Sequence, residues 1–211
     1  MKRLLIASKN KGKIEEIKHA LDGLSRELGI EVLSMNDMPG DDNLKEVEEP
    51  AMTYEGNAII KAMIIGNRFK MLTLADDTGL EIDALDGRPG VNSRRYGDGT
   101  AEGNNKKLLE ELKDVLNEKR TARFKSVIAV YDPETGKVRT CEGKIEGIIG
   151  RELKGEGGFG YDPLFFAPEL GKTLAEISFE EKIASDHRAR AMEKVKDILK
   201  DFMTENIAII L

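Results

Sequence analysis

The sequence predicts an α/β domain built on a mixed sheet, and three observations carry that prediction. Leu4-Leu5-Ile6-Ala7 is a short apolar run that gives way, through Ser8-Lys9-Asn10-Lys11-Gly12, to apolar residues at helical spacing. Leu72-Thr73-Leu74-Ala75 is another buried strand pattern, and it follows a helical stretch. Ala122 to Tyr131 and Lys137 to Gly150 alternate in strand fashion around the turn Asp132-Pro133-Glu134-Thr135-Gly136, a hairpin that makes part of the sheet antiparallel.

In chain order, Ile14, Ile17, Leu21, Leu24 and Leu28 recur at steps of three and four, one apolar stripe on a first helix. A short strand follows at Glu31 to Ser34. Asn36 to Pro50 is acidic, carries two prolines and lacks periodicity, so it reads as an exposed loop. Thr53 is a good N-cap for a second helix, with Ala58, Ile59, Ala62, Met63 and Ile65 as its buried face. The strand from Leu72 is expected to end at Asp76-Asp77. Gly79 to Gly103 is loop-rich, with Gly87-Arg88-Pro89-Gly90 as a turn cluster. A third helix is expected over Lys106 to Leu116, through Leu108, Leu109, Leu112, Val115 and Leu116. Ser178 and Glu181 form a capping box, and the last helix starts near His187 with Met192, Val195, Leu199 and Phe202 on one face.

A chain of 211 residues is long enough to bury a core without a disulfide or a zinc staple. No repeat or linker divides it, so residues 1–211 are expected to be a single domain. The formal charge of −6 argues against a general nucleic-acid coat, because broad phosphate binding wants a basic excess. A small basic pocket for a small anion stays open. Cys141 is the single cysteine, which rules out an internal disulfide and a Cys-rich metal site. No apolar run approaches a membrane span, and Leu4 to Ala7 is too short for a signal peptide, so a cytoplasmic location is the default expectation.

Four stretches could carry chemistry. The loop Ser8-Lys9-Asn10-Lys11-Gly12-Lys13 joins a strand to a helix start, where backbone N–H groups and the helix dipole favour an anion. Its lysines add point charges suited to a polyphosphate. Alone, it reads equally as a solvated basic turn, and its spacing is not that of a Walker A loop. Asp76 and Asp77 place two carboxylates on a buried strand, which is costly unless a metal, a base role or hydrogen bonds compensate. Side chains alternate along a strand, so one is expected to face a cleft and the other to bond structurally; capping of the next turn is the plainer reading. Gly157-Gly158-Phe159-Gly160-Tyr161-Asp162-Pro163 suits a backbone that approaches a flat ligand closely, with a ring to stack on it and Asp162 to accept from a base N–H. It also reads as a glycine-rich turn with core aromatics. Asp186-His187-Arg188 opens the last helix, where Arg188 can donate a fork to a base carbonyl or a phosphate. His187 is not assigned as a general base. Glu55, Glu110, Glu111 and Glu193 read as solvated faces.

Taken in order, the lysine–asparagine loop, Asn57-Ala58-Ile59-Ile60-Lys61-Ala62, Ala75-Asp76-Asp77-Thr78-Gly79-Leu80, Gly87 to Tyr96, Gly157 to Pro163 and His187-Arg188 resemble the inosine triphosphate pyrophosphatase family, the Ham1-like XTP/dITP diphosphatases. The resemblance runs from about Leu4 to Leu199. It implies an elongated, two-lobed α/β fold around a long twisted mixed sheet, and a homodimer. It implies Mg²⁺-dependent hydrolysis of deaminated purine nucleoside triphosphates (ITP, dITP, XTP) between the α and β phosphates. Under the resemblance, Ser8, Lys9, Asn10, Lys11, Gly12 and Lys13 match the phosphate loop, Lys61 the lysine of the second helix, and Asp77 the metal-linked general base. Thr78 stands where most members have serine. Phe159, Gly160, Tyr161, Asp162, Lys172, His187 and Arg188 match positions that hold the base and phosphates. The second magnesium acid falls to Glu48 or Glu49.

Three positions depart from the family pattern. Gly56 replaces a glutamate, Asp186 a serine, and Ala189 a glycine. Asp186 puts a negative charge near the base pocket. The nearest rival is a Maf-like nucleotide pyrophosphatase acting on modified pyrimidine or methylated nucleotides, against which the Phe-Gly-Tyr-Asp and His-Arg motifs speak. A non-catalytic nucleotide-binding module is the other rival, against which Asp77 and the acidic loop speak. The apolar tail Ile207 to Leu211 packs internally or on a partner.

Overall fold

The computed structural model describes residues 2–39 and 47–208. Along them run β1 (Lys2–Ile6), α1 (Lys11–Leu28), β2 (Ile30–Ser34), α2 (Tyr54–Phe69), β3 (Leu72–Ile82), β4 (Pro89–Gly90), α3 (Ala101–Glu111), β5 (Thr121–Tyr131), β6 (Val138–Ile149), β7 (Phe165–Ala167), β8 (Lys172–Thr173), α4 (Phe179–Ser185) and α5 (His187–Ala208). The strands form a mixed sheet in the order β2-β1-β3-β5-β6-β7-β8, with β4 paired to β3. β1 runs parallel to both β2 and β3, whereas the pairs β3–β4, β6–β7 and β7–β8 are antiparallel. The α/β class and mixed sheet expected from sequence are those observed. Part of the acidic loop, residues 40–46, and the end of the apolar tail, 209–211, lie outside the described residues.

The chain divides into two compact units, one of Met1–Asp77, Val127–Glu142 and Arg190–Leu211, the other of Thr78–Ser126 and Gly143–Ala189. In the first unit, the period of two along the strands sorts the core. Leu4, Ile6, Leu74, Ile128 and Val130 pack with Ile14, Ile17 and Leu21 of α1 and Met192, Val195 and Leu199 of α5. Leu5, Ala7, Ala75, Ala129 and Tyr131 pack instead with Ala58, Ala62 and Ile65 of α2. Alternate side chains thus serve opposite faces, each covered by its own helices. α1 starts at Asn10, whose side chain accepts from the Lys13 amide, and stops at Gly29 in the left-handed region. α2 starts at the expected cap, Thr53, which accepts from the Gly56 amide.

The second unit gathers Leu80, Ile82, Phe124, Ile145, Ile149 and Phe165 from the strands with Leu108 and Leu112 from the α3 segment. Arg120 is buried within this unit and donates to three carbonyls, of Ile149 (2.7 Å), Leu112 (2.6 Å) and Gly150 (2.7 Å). Each buried carbonyl left without its donor costs about 1–3 kcal/mol. Arg120→Ala is therefore expected to lower unfolding stability by roughly 3 kcal/mol or more, read as a shift in the urea midpoint. A midpoint that stays in place would mean these three bonds contribute nothing.

Several expectations need correction. β3 does not stop at Asp76-Asp77 but continues to Ile82, because Leu80 and Ile82 have a second core to enter and Leu80 and Glu81 pair with β4. α3 begins five residues earlier than expected, capped by Thr100, whose side chain accepts from the Gly103 amide, and ends at Glu111, leaving Leu116 exposed. Met63 lies on the exposed side of α2, while Asn57 and Gly66 are buried instead. The short strands β4, β7 and β8 carry too few residues to show a period. Glu111 is half-buried, accepting from the Tyr96 hydroxyl and from Arg88.

Candidate active site

Asp76 and Asp77 are consecutive on β3 and therefore point to opposite faces. Asp76 shares the face of Leu74 and forms a 2.7 Å ion pair with Lys13, in the first turn of α1. Asp77 shares the face of Ala75, where α2 presents Asn57 and Lys61, four residues apart on one side of the helix. Asn57 Nδ2 donates to Asp77 Oδ2 at 3.2 Å, and Lys61 Nζ lies 3.4 Å from Asp77 Oδ1. Lys61 also donates to Glu49 Oε1 (2.7 Å) and to the Asp76 carbonyl (2.8 Å). Each carboxylate of the pair thus meets a lysine from the helix on its own side.

Burial raises the Asp77 pKa above the ordinary carboxylate value; Lys61 and Lys13 oppose that rise, and Glu49 and Asp76 add to it. Burial alone would depress Lys61, but attraction from Asp77 and Glu49 outweighs it, and the ammonium is held charged. A carboxyl with a raised pKa beside fixed cations is suited to take a proton. The phosphate-loop candidates sit at the start of α1. Ser8 Oγ accepts from the Asn10 amide (3.2 Å), and Asn10 is committed to the cap. Lys9 and Lys11 are exposed, and Gly12 and Lys13 are partly buried. The first-turn amides of a helix have no intrahelical acceptor, so an anion there has donors ready.

Hard oxygen donors for Mg²⁺ are present in the same unit. Glu49 and Asp77 both reach Lys61, whereas Glu48 is exposed. Among the described residues no group of three or more His, Cys, Asp or Glu side chains could hold a metal by itself. Mg²⁺ is commonly held by one or two carboxylates together with substrate phosphates and water, and Glu49 with Asp77 fit that donor set.

In the second unit the loop from Gly157 to Pro163 is organised by Asp162. Its Oδ2 accepts from the Phe159 amide (2.9 Å) and, in a buried setting, from Lys182 Nζ (2.6 Å). Gly158 has φ +68°, and a Cβ there would lie 2.2 Å from Asp162 Oδ2, so only glycine fits. Lys182 Nζ also stands 4.4 Å from the centre of the Phe159 ring, and Arg188 Cζ 5.8 Å. Arg188 is buried and its Nη2 donates to Thr78 Oγ1 at 3.3 Å. His187 stacks on Phe124 with ring centres 4.8 Å apart.

Phe159, Gly160, Asp162, Thr78 and Arg188 fall in connected structure. Tyr161 is a core residue: its ring is buried and its hydroxyl donates to the Ser93 carbonyl at 2.7 Å. Lys172 is exposed on β8, beside Glu176, whose pKa it helps to lower after the Thr173 hydrogen bonds and Lys154. Lys182, which the sequence did not single out, is the lysine that meets Phe159 and Asp162. The available cue was the Ser178–Glu181 capping box, which starts α4 and leaves Lys182, four residues after the cap, on the side of Ser178 in its last turn.

An α/β chain that buries adjacent carboxylates against lysines, one of them in the first turn after a basic strand-to-helix loop, is equipped to handle a polyphosphate. Residues 4–198 match the Ham1 family. The chain is 47% identical over 201 residues to a dITP/XTP pyrophosphatase of Desulforamulus reducens, covering 93% of this chain and 95% of the relative. It is 48% identical to a dITP/XTP pyrophosphatase of Geobacter sulfurreducens, covering 94% and 97%. Among solved structures, a HAM1 protein from Coxiella burnetii aligns at TM-score 0.83 and 36% identity, covering 95% of this chain and all of that one. The Staphylococcus aureus Ham1 protein aligns at 0.81 and 35%, covering 95% and 99%. The chain belongs to the Ham1 family.

Proposed function

We propose that this chain is a nucleoside triphosphate pyrophosphatase that hydrolyses ITP, dITP and XTP to the monophosphate and pyrophosphate. The observation that carries the reading is Asp77, a buried carboxyl with a raised pKa held between Asn57 and Lys61, in a chain close in sequence to dITP/XTP pyrophosphatases. Asp77 takes the proton of the water that attacks the triphosphate, and the bond between the α and β phosphates breaks. Lys13 and Lys61 hold the phosphate charge, with the loop from Ser8 to Gly12 offering backbone donors. Glu49, rather than Glu48, would hold Mg²⁺ together with Asp77. When bound, Mg²⁺ neutralises triphosphate charge that the lysines leave uncompensated. Phe159, Lys182, His187 and Arg188 serve the base, with Asp162 holding their loop. Lys182 replaces Lys172 in this set, and Tyr161 supports it from the core.

Turnover of ITP, XTP, dTTP and ATP with pyrophosphate detection tests the assignment. Fast release from ITP and XTP with little from dTTP and ATP is expected; preference for dTTP, or no turnover at all, would overturn it. The reading includes a homodimer in the cytoplasm. No described helix is long and apolar enough to cross a membrane.

Base discrimination follows from donor chemistry. A donor aimed at a 6-oxo group is left unpaired by a 6-amino group. Arg188→Ala is expected to cost roughly 1.5–3 kcal/mol, about ten- to a hundred-fold in kcat/KM, for ITP and XTP while sparing the poor ATP reaction. Equal loss on ITP and ATP would assign Arg188 to the phosphates instead. Because Arg188 is buried and bonded to Thr78, the variant's melting temperature is measured alongside.

A further inference from the structure

We propose that Asn105 is a positioning residue of the loop from Phe159 to Asp162, holding the peptide between Gly160 and Tyr161 in one orientation. Asn105 is buried on α3, and its Nδ2 donates to the Gly160 carbonyl at 2.9 Å. The amide atom that meets a carbonyl oxygen must be the nitrogen, so the contact also fixes which way the Asn105 amide faces.

Both neighbours of Gly160 are held by other groups. Phe159 donates its amide to Asp162 Oδ2 at 2.9 Å, and its carbonyl accepts from the Asp162 amide at 3.3 Å, which closes a turn over residues 159–162. Tyr161 has its ring in the core and its hydroxyl on the Ser93 carbonyl. Gly160, between them, sits at φ +65°, and a Cβ there would meet nothing within 4 Å. Glycine is needed at this point for its backbone and not for space. The same freedom lets it take negative φ about as readily, so the turn by itself does not choose where the Gly160 carbonyl points. Asn105 makes that choice. The peptide is planar and trans, so the Tyr161 N–H on its other edge points away from Asn105. Held in this way, that N–H is a preset donor for an oxygen acceptor on a bound base, with no ordering left to undergo on binding. This last consequence rests on the reading of the loop as the base site; the hold of Asn105 on Gly160 does not.

The chain has four tyrosines, and Tyr161 is the single one that follows a glycine. Glycine labelled with ¹³C at its carbonyl and tyrosine labelled with ¹⁵N therefore give one cross-peak in an HNCO spectrum, that of this peptide. Asn105→Asp keeps the shape but, when ionised, can only accept. Asn105→Ala offers neither donor nor acceptor, and it covers the case in which a buried aspartate prevents folding. In each variant the Gly160 carbonyl resonance is expected to move upfield from the parent, the direction that follows loss of a donor. KM for ITP is expected to rise about two- to tenfold with kcat little changed, and the ITP:ATP ratio of kcat/KM to fall by a similar factor. A carbonyl resonance that stays in place in both variants overturns the proposal. So does one that moves while KM for ITP and the ITP:ATP ratio stay as in the parent, which would make the contact a structural bond alone. A parent without ITP turnover overturns the base-site reading instead, and the carbonyl resonance still decides whether Asn105 holds Gly160.

Discussion

Asp77→Asn is expected to lower kcat for ITP by about 10²–10⁴-fold, the usual cost of removing a general base. An amide has nearly the same shape but cannot take the proton. KM should change less, because Lys13 and Lys61 stay in place. The substitution is not silent for packing. Both Asp77 oxygens face donors, Asn57 Nδ2 and Lys61 Nζ, so an amide can satisfy one of them and must turn its own NH₂ toward the other. A melting temperature therefore accompanies the kinetics, to separate lost chemistry from lost structure. Asp76→Asn is the decisive companion: its carboxylate pairs with Lys13 on the opposite face of the strand. A folded, active Asp77→Asn beside an inactive Asp76→Asn would show that the two roles are reversed.

Removal of divalent cations is expected to abolish pyrophosphate release, and added Mg²⁺ to restore it. A bound triphosphate brings close to four negative charges, whereas Lys13 and Lys61 are already paired with Asp76, Asp77 and Glu49. These two lysines already face three carboxylates, and the exposed Lys9 and Lys11 act through solvent, where their attraction is screened, so most of the triphosphate charge is left for a divalent cation. Full turnover in excess EDTA, with metal carry-over excluded by analysis, would sink the mechanism.

Much of this was legible in sequence because local patterns and tertiary structure agree. The stripe from Ile14 to Leu24, the cap at Thr53, the capping box at Ser178 and Glu181, and the hairpin turn at Asp132 are local signals whose elements formed where expected. Where the outcome depends on distant partners, the sequence was silent. Nothing near Asp77 says that β3 continues, because the reason is a second core assembled from residues 80 to 177. Glu49 differs from Glu48 in its reach to Lys61, twelve positions away, a contact that no local pattern announces. Lys172 and Lys182 look alike as letters; burial against Phe159 and Asp162 distinguishes them. Tyr161 shows the converse, a residue inside a ligand-like motif that is held by the core.

The discontinuity of the two units bears on how the chain folds as it leaves the ribosome. The core of the second unit is complete once Ile177 has emerged. That of the first joins Leu4 and Ile6 to Met192, Val195, Leu199, Phe202 and Met203, so its earliest strand waits through nearly the whole of translation for its covering helix. The usual order, in which N-terminal structure folds first during synthesis, is closed to this unit. Until α5 is released, the α1 face of the nascent sheet presents Leu4, Ile6, Leu74, Ile128 and Val130 without their full cover, a stretch of apolar surface for chaperones to attend.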